Sequence, residues 1–300
     1  MNTAQISPLD QINQTLKEHN PFAKPPFMNV NDVWGDGFVD FPAINAHASD
    51  LVFKALQNIQ NGLYTTTSLL ITAQDGTGKT HVIGRIRHQL QKNGQGLFVY
   101  VNQHNVNHPI KEQFQQKLAI SLSKNGYYGV MQWQEIATLM AKDCHPKLKN
   151  LRNPQQLLTR FTNESNQTRV NGFIKKFTEL YCNSQEVEDP DIVQAIFWTL
   201  SPNQIYRSSA IKWLGGQELA EKFYKVLDLP SQNQSFDTVI EILKIIGNYK
   251  ELVICFDELD TVEAINTENN LHISVIIAGL IKDLFENLKK GVILSVIMDS

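Results

Sequence analysis

The sequence predicts a three-layer α/β fold, in which helices cover both faces of a parallel sheet and a large all-helical insertion interrupts the core. Short, wholly apolar runs recur along the chain, and such runs are typical of strands buried on both faces. Segments with apolar residues at helical spacing alternate with these runs, as the crossover connections of a parallel sheet require. Residues 105–249 show helical patterns and no convincing strand pattern, which predicts the insertion.

The composition indicates a globular protein and limits its partners. Of the 300 residues, 42% are hydrophobic, which is enough for a core without disulfides or structural metals. A formal net charge of −3 excludes binding to nucleic acid or anionic membrane through bulk charge alone. The three cysteines, Cys144, Cys182 and Cys255, form no C-x-x-C pair, and an odd number cannot close a disulfide framework. Since no signal peptide or membrane span is evident, we expect a cytoplasmic protein without a membrane anchor.

Residues 1–44 hold five of the eleven prolines, mixed with glycine and isolated aromatic residues. This mixture predicts an extended arm on the surface of the domain. Asn45 is a plausible helix cap, and residues such as Leu56 and Ile59 follow it at helical spacing. A helix is therefore expected over 46–60.

The core is predicted to occupy residues 45–104 and 250–300. The apolar runs predict its strands at 68–72, 97–101, 252–256 and 292–298. Val82, Ile83, Ile86 and Leu90 share one helical face after the first strand, and a second core helix is expected over 273–288. In the insertion, helices are expected near 109–124, 131–143, 169–182, 190–200, 205–214, 216–227 and 236–247.

The run AQDGTGKT at 73–80 fits the phosphate-loop pattern A/G-x-x-x-x-G-K-S/T, with alanine in place of the commoner first glycine. Glycines let successive backbone N–H groups turn inward around a polyphosphate, and the following helix presents the positive end of its dipole. Lys79 is expected to reach the β and γ phosphates, and the Thr80 hydroxyl to bind Mg²⁺. The run lies between a predicted strand and a predicted helix; the alternative is a glycine-rich turn with an incidental lysine. The predicted nucleotide-binding residues are Ala73, Gln74, Asp75, Gly76, Thr77, Gly78, Lys79, Thr80 and His81.

Two acidic residues, Asp257 and Glu258, end the predicted strand 252–256. A metal ion at the loop threonine needs a carboxylate from the end of a neighbouring strand, and hydrolysis needs a base that orients water against the γ phosphate. We expect Asp257 to bind Mg²⁺ beside Thr80, and Glu258 to act as the catalytic base with Lys79 as the other catalytic residue. The alternative is a strand that ends in an acidic turn.

These two motifs resemble the additional-strand class of phosphate-loop ATPases, and within it the AAA+ and STAND branch. The resemblance covers residues 45–105 and 250–300. It implies that ATP is bound with Mg²⁺ and hydrolysed. It also implies a polar sensor beside the γ phosphate, at Asp299 or Ser300.

The same resemblance has implications at both ends of the chain. It implies that Val39, Phe41 or Ile44 packs on adenine, the alternative being that these residues belong to the core. An AAA+-like core requires a further strand beside the phosphate loop and a helical lid, neither of which follows Ser300. We therefore expect the 300 residues to be an amino-terminal piece of a longer protein.

A second resemblance lies in the predicted insertion. Residues 195–223, together with the stretch that leads into FDELD, are similar to ATP-binding proteins of phage-defence systems such as BREX. In those proteins a helical insertion bearing W-L-x-G precedes the Asp-Glu strand, and Trp213-Leu214-Gly215-Gly216 carries the likeness here. On physical grounds, Trp198 and Trp213 are better explained as helical core than as a platform for a ligand.

Residues 142–176 form a basic run, with eight lysines and arginines against two acids. Most such runs are solvated faces. The functional alternative is a contact to nucleic acid or an arginine finger that reaches a neighbouring subunit, and Arg152, Arg160 and Arg169 are the candidates.

The predicted site indicates a switch ATPase, in which the γ phosphate changes the shape or assembly of the protein. We expect it to act in a defence- or DNA-associated assembly, with further copies of itself or with a partner protein. One alternative is a scaffold that nucleotide only stabilises, with little hydrolysis, and another is a small-molecule kinase. Lys79, Asp257 and Glu258 together favour the ATPase.

Overall fold

The computed structural model describes residues 30–35, 40, 45–74, 76–102, 108–164, 166–257, 259 and 272–298. Its strands are β1 (Thr66–Ala73), β2 (Leu97–Val101), β3 (Leu252–Phe256) and β4 (Gly291–Met298). Its helices are α1 (Val30–Trp34), α2 (Ala46–Gln60), α3 (Lys79–Asn93), α4 (Ile110–Leu122), α5 (Gln132–Cys144), α6 (Pro154–Thr162), α7 (Gln167–Ser184), α8 (Pro190–Trp198), α9 (Gln204–Leu214), α10 (Glu221–Leu227), α11 (Phe236–Gly247) and α12 (Ile273–Asn287). A short 3₁₀ helix, Pro146–Leu148, follows α5.

The four strands form one parallel sheet in the order β1-β4-β3-β2. Strand β4 therefore lies between β1, which leads into the glycine loop, and β3, which Asp257 directly follows. Because all strands are parallel, their carboxyl ends meet at one edge of the sheet, where the loop and Asp257 also lie.

Helices cover both faces of the sheet, which confirms the predicted three-layer α/β fold. On one face, α1, α2 and α3 bury residues such as Leu56 and Ile83 against Phe98, Val253 and Leu294 of the strands. Phe98 and Tyr100 point to this layer, whereas Leu97, Val99 and Val101 point to the other. This alternation makes β2 apolar along its whole length, as expected for a strand between two layers.

The opposite face packs on α12 and on the long helical stretch between β2 and β3. Val99, Ile254 and Ile293 of the sheet belong to the same hydrophobic cluster as Trp133 and Trp213 of the helices. The helices of the predicted insertion therefore share a core with the sheet. A shape change at the sheet edge can therefore be transmitted to these helices through direct side-chain packing.

The outer edge of β2 is covered by side chains of two helices. The Gln132 Oε1 accepts the N–H of Phe98 at 2.7 Å, and its Nε2 donates to the Phe98 carbonyl at 3.0 Å. The Ser121 hydroxyl accepts the N–H of Tyr100 at 3.1 Å. These bonds satisfy backbone groups that a further strand would otherwise pair.

Three elements differ from the sequence prediction. Helix α6 is additional; its cap Asn153 is a standard start signal, but Leu157 and Phe161 make too narrow an apolar stripe to predict it. Helix α1 lies in the segment predicted as an extended arm. It is held by tertiary packing, since Val33 is fully buried and the Trp34 ring lies edge-on to Phe98. Helix α10 begins at Glu221, later than predicted.

Candidate nucleotide-binding site

The glycine loop joins β1 to α3 and adopts a backbone that glycine favours. Gly76 has φ 74° and Gly78 has φ 93°, both in the left-handed region. A Cβ added at Gly76 would meet no atom within 4 Å, so this glycine is required by the backbone and not by packing. The Thr77 hydroxyl donates to the Gln74 carbonyl at 2.8 Å and braces the turn. The loop thus presents an open surface at the amino end of α3, the geometry that binds phosphate.

The Lys79 ammonium lies over the loop itself. Its Nζ donates to the carbonyls of Ala73 at 3.3 Å and Gln74 at 3.2 Å. Both acceptors are neutral backbone carbonyls, and the Lys79 ammonium that donates to them is partly exposed. An anionic phosphate at the loop would offer Lys79 stronger, charge-assisted bonds.

Thr80 and Asp257 meet across the sheet edge, although 177 residues separate them in the chain. The Thr80 hydroxyl donates to Asp257 Oδ2 at 3.0 Å, and Asp257 is only 2% exposed. A hydroxyl and a carboxylate oxygen at this separation fit Mg²⁺, which takes oxygen ligands and commonly only one or two protein carboxylates. No cluster of three or more His, Cys, Asp or Glu suited to a metal occurs within the described part of the chain. Thr80 and Asp257 alone would leave most of the coordination positions of Mg²⁺ to water or to phosphate oxygens.

Tyr100 is a site residue that the sequence analysis missed. Its hydroxyl donates to the same Asp257 Oδ2 at 2.8 Å, from within the core. Backbone pairing brings Tyr100 and Asp257 together, because the Asp257 N–H extends the β2–β3 ladder by donating to the Val101 carbonyl at 2.8 Å. A lone phenol in an otherwise apolar strand, beside a strand ending in aspartate, was the only signal available.

Residues before α2 are fastened to the loop and to α3. Asn45, with a left-handed φ of 53°, donates from Nδ2 to the Thr77 carbonyl at 2.8 Å. Asp40 Oδ1 lies 3.0 Å from His81 Nε2 and 2.8 Å from the Arg85 guanidinium. Burial raises the pKa of Asp40, but hydrogen bonds and charge from Arg85 and His81 outweigh it and hold that pKa below its ordinary value. The His81 ring thus contacts the segment before α2.

Asn102, directly after β2, is a second polar residue missed by the sequence analysis. It is 2% exposed, and its Oδ1 accepts a bond from Lys117 Nζ of α4 at 3.2 Å. Its Nδ2 has no hydrogen-bond partner in the part of the chain that the structure describes. A buried, unused amide donor at the carboxyl edge of the sheet is costly unless a ligand or water uses it.

The remaining predicted residues divide into three groups. Trp198 and Trp213 are buried, which confirms their expected place in the helical core. Arg152 and Arg160 line surface clefts, whereas Arg169 pairs with Glu164 at 3.5 Å. The third group lies outside the described residues: Val39, Phe41, Ile44, Asp75, Glu258, Asp299 and Ser300.

The W-L-G-G sequence forms the carboxyl end of α9 and packs on α4. Gly216 has φ 74°, and a Cβ there would come within 2.8 Å of Gln115 Oε1. Gln115 in turn donates to the Leu214 carbonyl at 3.2 Å. In this chain the motif is a tight helix end that only glycine fits.

Comparison with protein families supports the geometry. Residues 45–280 match the family described as the KAP family P-loop domain. No match was found among curated proteins or among solved structures. No helix within the described ranges is long and apolar enough to cross a membrane. The predicted phosphate-loop NTPase domain is confirmed, and the finer likenesses to the AAA+ and STAND branch and to defence ATPases stay predictions.

Proposed function

Because this chain belongs to the KAP family of P-loop domains, we propose that it binds MgATP and hydrolyses it, with the γ phosphate acting as a switch. The observation that carries this proposal is the 3.0 Å bond between Thr80 of the loop and Asp257 of β3. It joins the two groups that a magnesium nucleotide requires, one in the first turn of α3 and the other directly after β3.

Each residue of the site has a proposed part in binding. Lys79 exchanges the Ala73 and Gln74 carbonyls for the β and γ phosphates, and Thr80 and Asp257 hold Mg²⁺. When bound, Mg²⁺ supplies positive charge that neutralises the phosphate oxygens. Glu258 is proposed as the base that accepts a proton from the attacking water.

Contacts of α4 support the proposed coupling of the site to the helical region. Ser121 bonds the backbone of Tyr100, and Lys117 bonds Asn102, so α4 touches β2 beside Asp257. The same helix receives the end of α9 through Gln115. A change at Asp257 therefore has a short physical route into the helices.

The biological setting is a finer proposal. We propose a cytoplasmic, defence- or DNA-associated assembly with further copies of the chain or a partner protein. The likeness of residues 195–223 to phage-defence ATPases supports it. The W-L-G-G sequence also has a structural explanation, because the helix end that it forms requires glycine at position 216. That explanation holds without any functional role for the motif.

Nucleotide binding is tested by Lys79→Ala, measured by calorimetric titration of ATP with Mg²⁺. We expect affinity to fall by about 100-fold, because charge-assisted bonds to two phosphates are lost. Lys92→Ala is the matched control, since Lys92 is an exposed lysine at the far end of the same helix. Equal affinity of the two variants would remove the phosphate-loop role of Lys79.

Hydrolysis is tested by Glu258→Gln, through phosphate release and ATP titration on the same samples. The amide keeps the shape of the carboxylate but is a poor proton acceptor, so turnover should fall by about 100-fold or more while binding persists. A parent protein that binds MgATP without releasing phosphate would instead support the nucleotide-stabilised scaffold. Parent-like turnover in the variant would exclude Glu258 as the base.

A further inference from the structure

Two neighbouring clefts lie on the surface formed by α5, α6 and the loops around them. The larger is open, has a volume of about 500 Å³, and is lined by Lys147, Arg160 and polar residues such as Asn150 and Gln156. The smaller is lined by Tyr128, Lys142, Arg152 and Lys250 among others. Both clefts include Leu151, so they adjoin, and neither is lined by a phosphate-loop residue.

The cations that line these clefts differ in their contacts, since Lys142 donates to the Leu151 carbonyl at 2.8 Å and Lys250 donates to the Gly94 carbonyl at 3.2 Å. Within the described chain, Lys147, Arg152 and Arg160 have no carboxylate within 4 Å, unlike Arg169 of the same basic run. Arg152 and Arg160 are exposed, and Glu135, which lines the smaller cleft with Arg152, forms no ion pair with either of them. Exposed, unpaired cations in a cleft attract an anionic chain.

Two aromatic rings stand at one end of the same surface. Tyr127 is 48% exposed and Tyr128 is 42% exposed, with ring centroids 4.8 Å apart in an edge-on arrangement. The backbone of this tight loop is fixed by the Tyr128 N–H, which donates to Glu135 at 2.9 Å. The Tyr127 ring packs against Gly94, whereas Tyr128 lines the smaller cleft, so the Tyr128 ring is the one placed to stack on a ligand.

Glu135 is the carboxylate that lines the smaller cleft, and it does not oppose an anionic ligand strongly. It is buried and is turned toward the loop that carries Tyr128. Burial raises the pKa of Glu135, against the lowering effects of the Tyr128 N–H and of Lys250. Its charge thus lies beneath the surface, whereas those of Arg152 and Arg160 lie at it.

We propose that the Tyr128–Arg160 surface, formed by Tyr127, Tyr128, Lys142, Lys147, Arg152 and Arg160, binds single-stranded nucleic acid. A cationic track with stacking aromatic rings is the chemistry by which proteins hold unpaired bases and their phosphates together. An acidic peptide would use the cations but not the rings. A duplex hides its base faces, so it would also leave the rings unused.

The proposal is tested with the full chain by fluorescence anisotropy of a labelled oligothymidylate of about 20 nucleotides, at low salt. We expect Tyr128→Ala to weaken binding by about 10-fold and Tyr128→Phe, which keeps the ring, to bind as the parent does. Arg152→Glu and Arg160→Glu should each weaken binding by about 10-fold and reduce its dependence on salt. Arg169→Glu is the matched control: it reverses a charge of the same run, but Arg169 lines neither cleft.

Four results would overturn the proposal. They are no binding by the parent at low salt, equal losses in Arg169→Glu and Arg160→Glu, tighter binding of a matched duplex, and full competition by polyglutamate at equal charge. The last two would indicate a duplex or an acidic protein as the ligand. Since Lys79→Ala leaves this surface intact, loss of ATP binding without loss of DNA binding would separate this test from that of the nucleotide site.

Discussion

At the scale of single residues, one carboxylate oxygen organises the candidate site. Asp257 Oδ2 accepts bonds from Thr80, in the first turn of α3, and from Tyr100 of β2. Thr80 is a proposed metal ligand, so its bond must be exchanged when Mg²⁺ binds. The Tyr100 bond can persist, because it comes from the buried side. We therefore assign Tyr100 a positioning role, in which it fixes the orientation of Asp257 before the metal arrives.

The Tyr100→Phe variant tests that role. Losing one bond to a buried carboxylate should cost about 1 kcal/mol of stability and weaken Mg²⁺ binding to the nucleotide complex several-fold. ATP affinity measured without Mg²⁺ should stay unchanged, since Tyr100 touches Asp257 and not the loop. Both quantities are measured by calorimetric titration, with Mg²⁺ varied at fixed ATP.

Tyr206→Phe serves as the control for this experiment. The Tyr206 ring packs edge-on to Trp198 in the helical region, away from Asp257. Removal of its hydroxyl should leave Mg²⁺ binding unaltered. An identical Mg²⁺ requirement in Tyr100→Phe and the parent would show that Asp257 needs no such support.

At the scale of elements, a glutamine side chain caps the outer edge of β2 by bonding backbone groups that a further strand would otherwise pair. Gln132 bonds both backbone groups of Phe98, and its Nε2 also donates to the Ser121 carbonyl at 2.9 Å. The arrangement closes the sheet edge against pairing with another chain. It also fixes α5 and α4 relative to the strand that carries Tyr100.

We expect Gln132→Ala to lower the free energy of unfolding by about 3 kcal/mol, because it leaves buried backbone groups of Phe98 without partners. Urea unfolding followed by circular dichroism measures the change. Gln57→Ala, at an exposed position of α2, is the control and should change stability by less than about 0.5 kcal/mol. A loss in Gln132→Ala no greater than in the control would mean that water replaces the amide without cost.

At the scale of the whole molecule, α4 connects the sheet edge with the helical region. It contacts β2 along its length, and α9 and α12 pack against it in turn. The hydrophobic cluster that includes α4 runs without interruption from Val99 to Trp213. Nucleotide binding at the loop should therefore change the hydrogen exchange of α4 more than that of more distant helices.

Hydrogen exchange with a slowly hydrolysed ATP analogue and Mg²⁺ tests this connection. We expect slower amide exchange in α4 and little change in α6, which packs on α5 and lies beyond the sheet contacts. The Lys79→Ala variant should show neither change. Protection spread evenly over α4 and α6 would indicate general stabilisation by the ligand and would count against a switch through α4.

Most of the framework follows from local sequence patterns. The phosphate loop is specified by glycines at positions of positive φ, next to an apolar strand and an amphipathic helix, and such constraints act within a few residues of each other. The buried strands and the acid that ends β3 are likewise visible as runs of residue type. Helix α6 was not, because its apolar stripe consists of few residues.

The sequence by itself therefore determined the fold class, the loop and Asp257, each through short-range rules of backbone geometry and burial. Only the tertiary structure decided which side chains meet them. The partners Tyr100, Asn45, Asp40 and Gln132 depend on strand register and helix packing between segments distant in the chain. The physical reason is that a hydrogen bond is specified by the position of two atoms within a few tenths of an ångström, whereas residue patterns specify only which face of an element is buried.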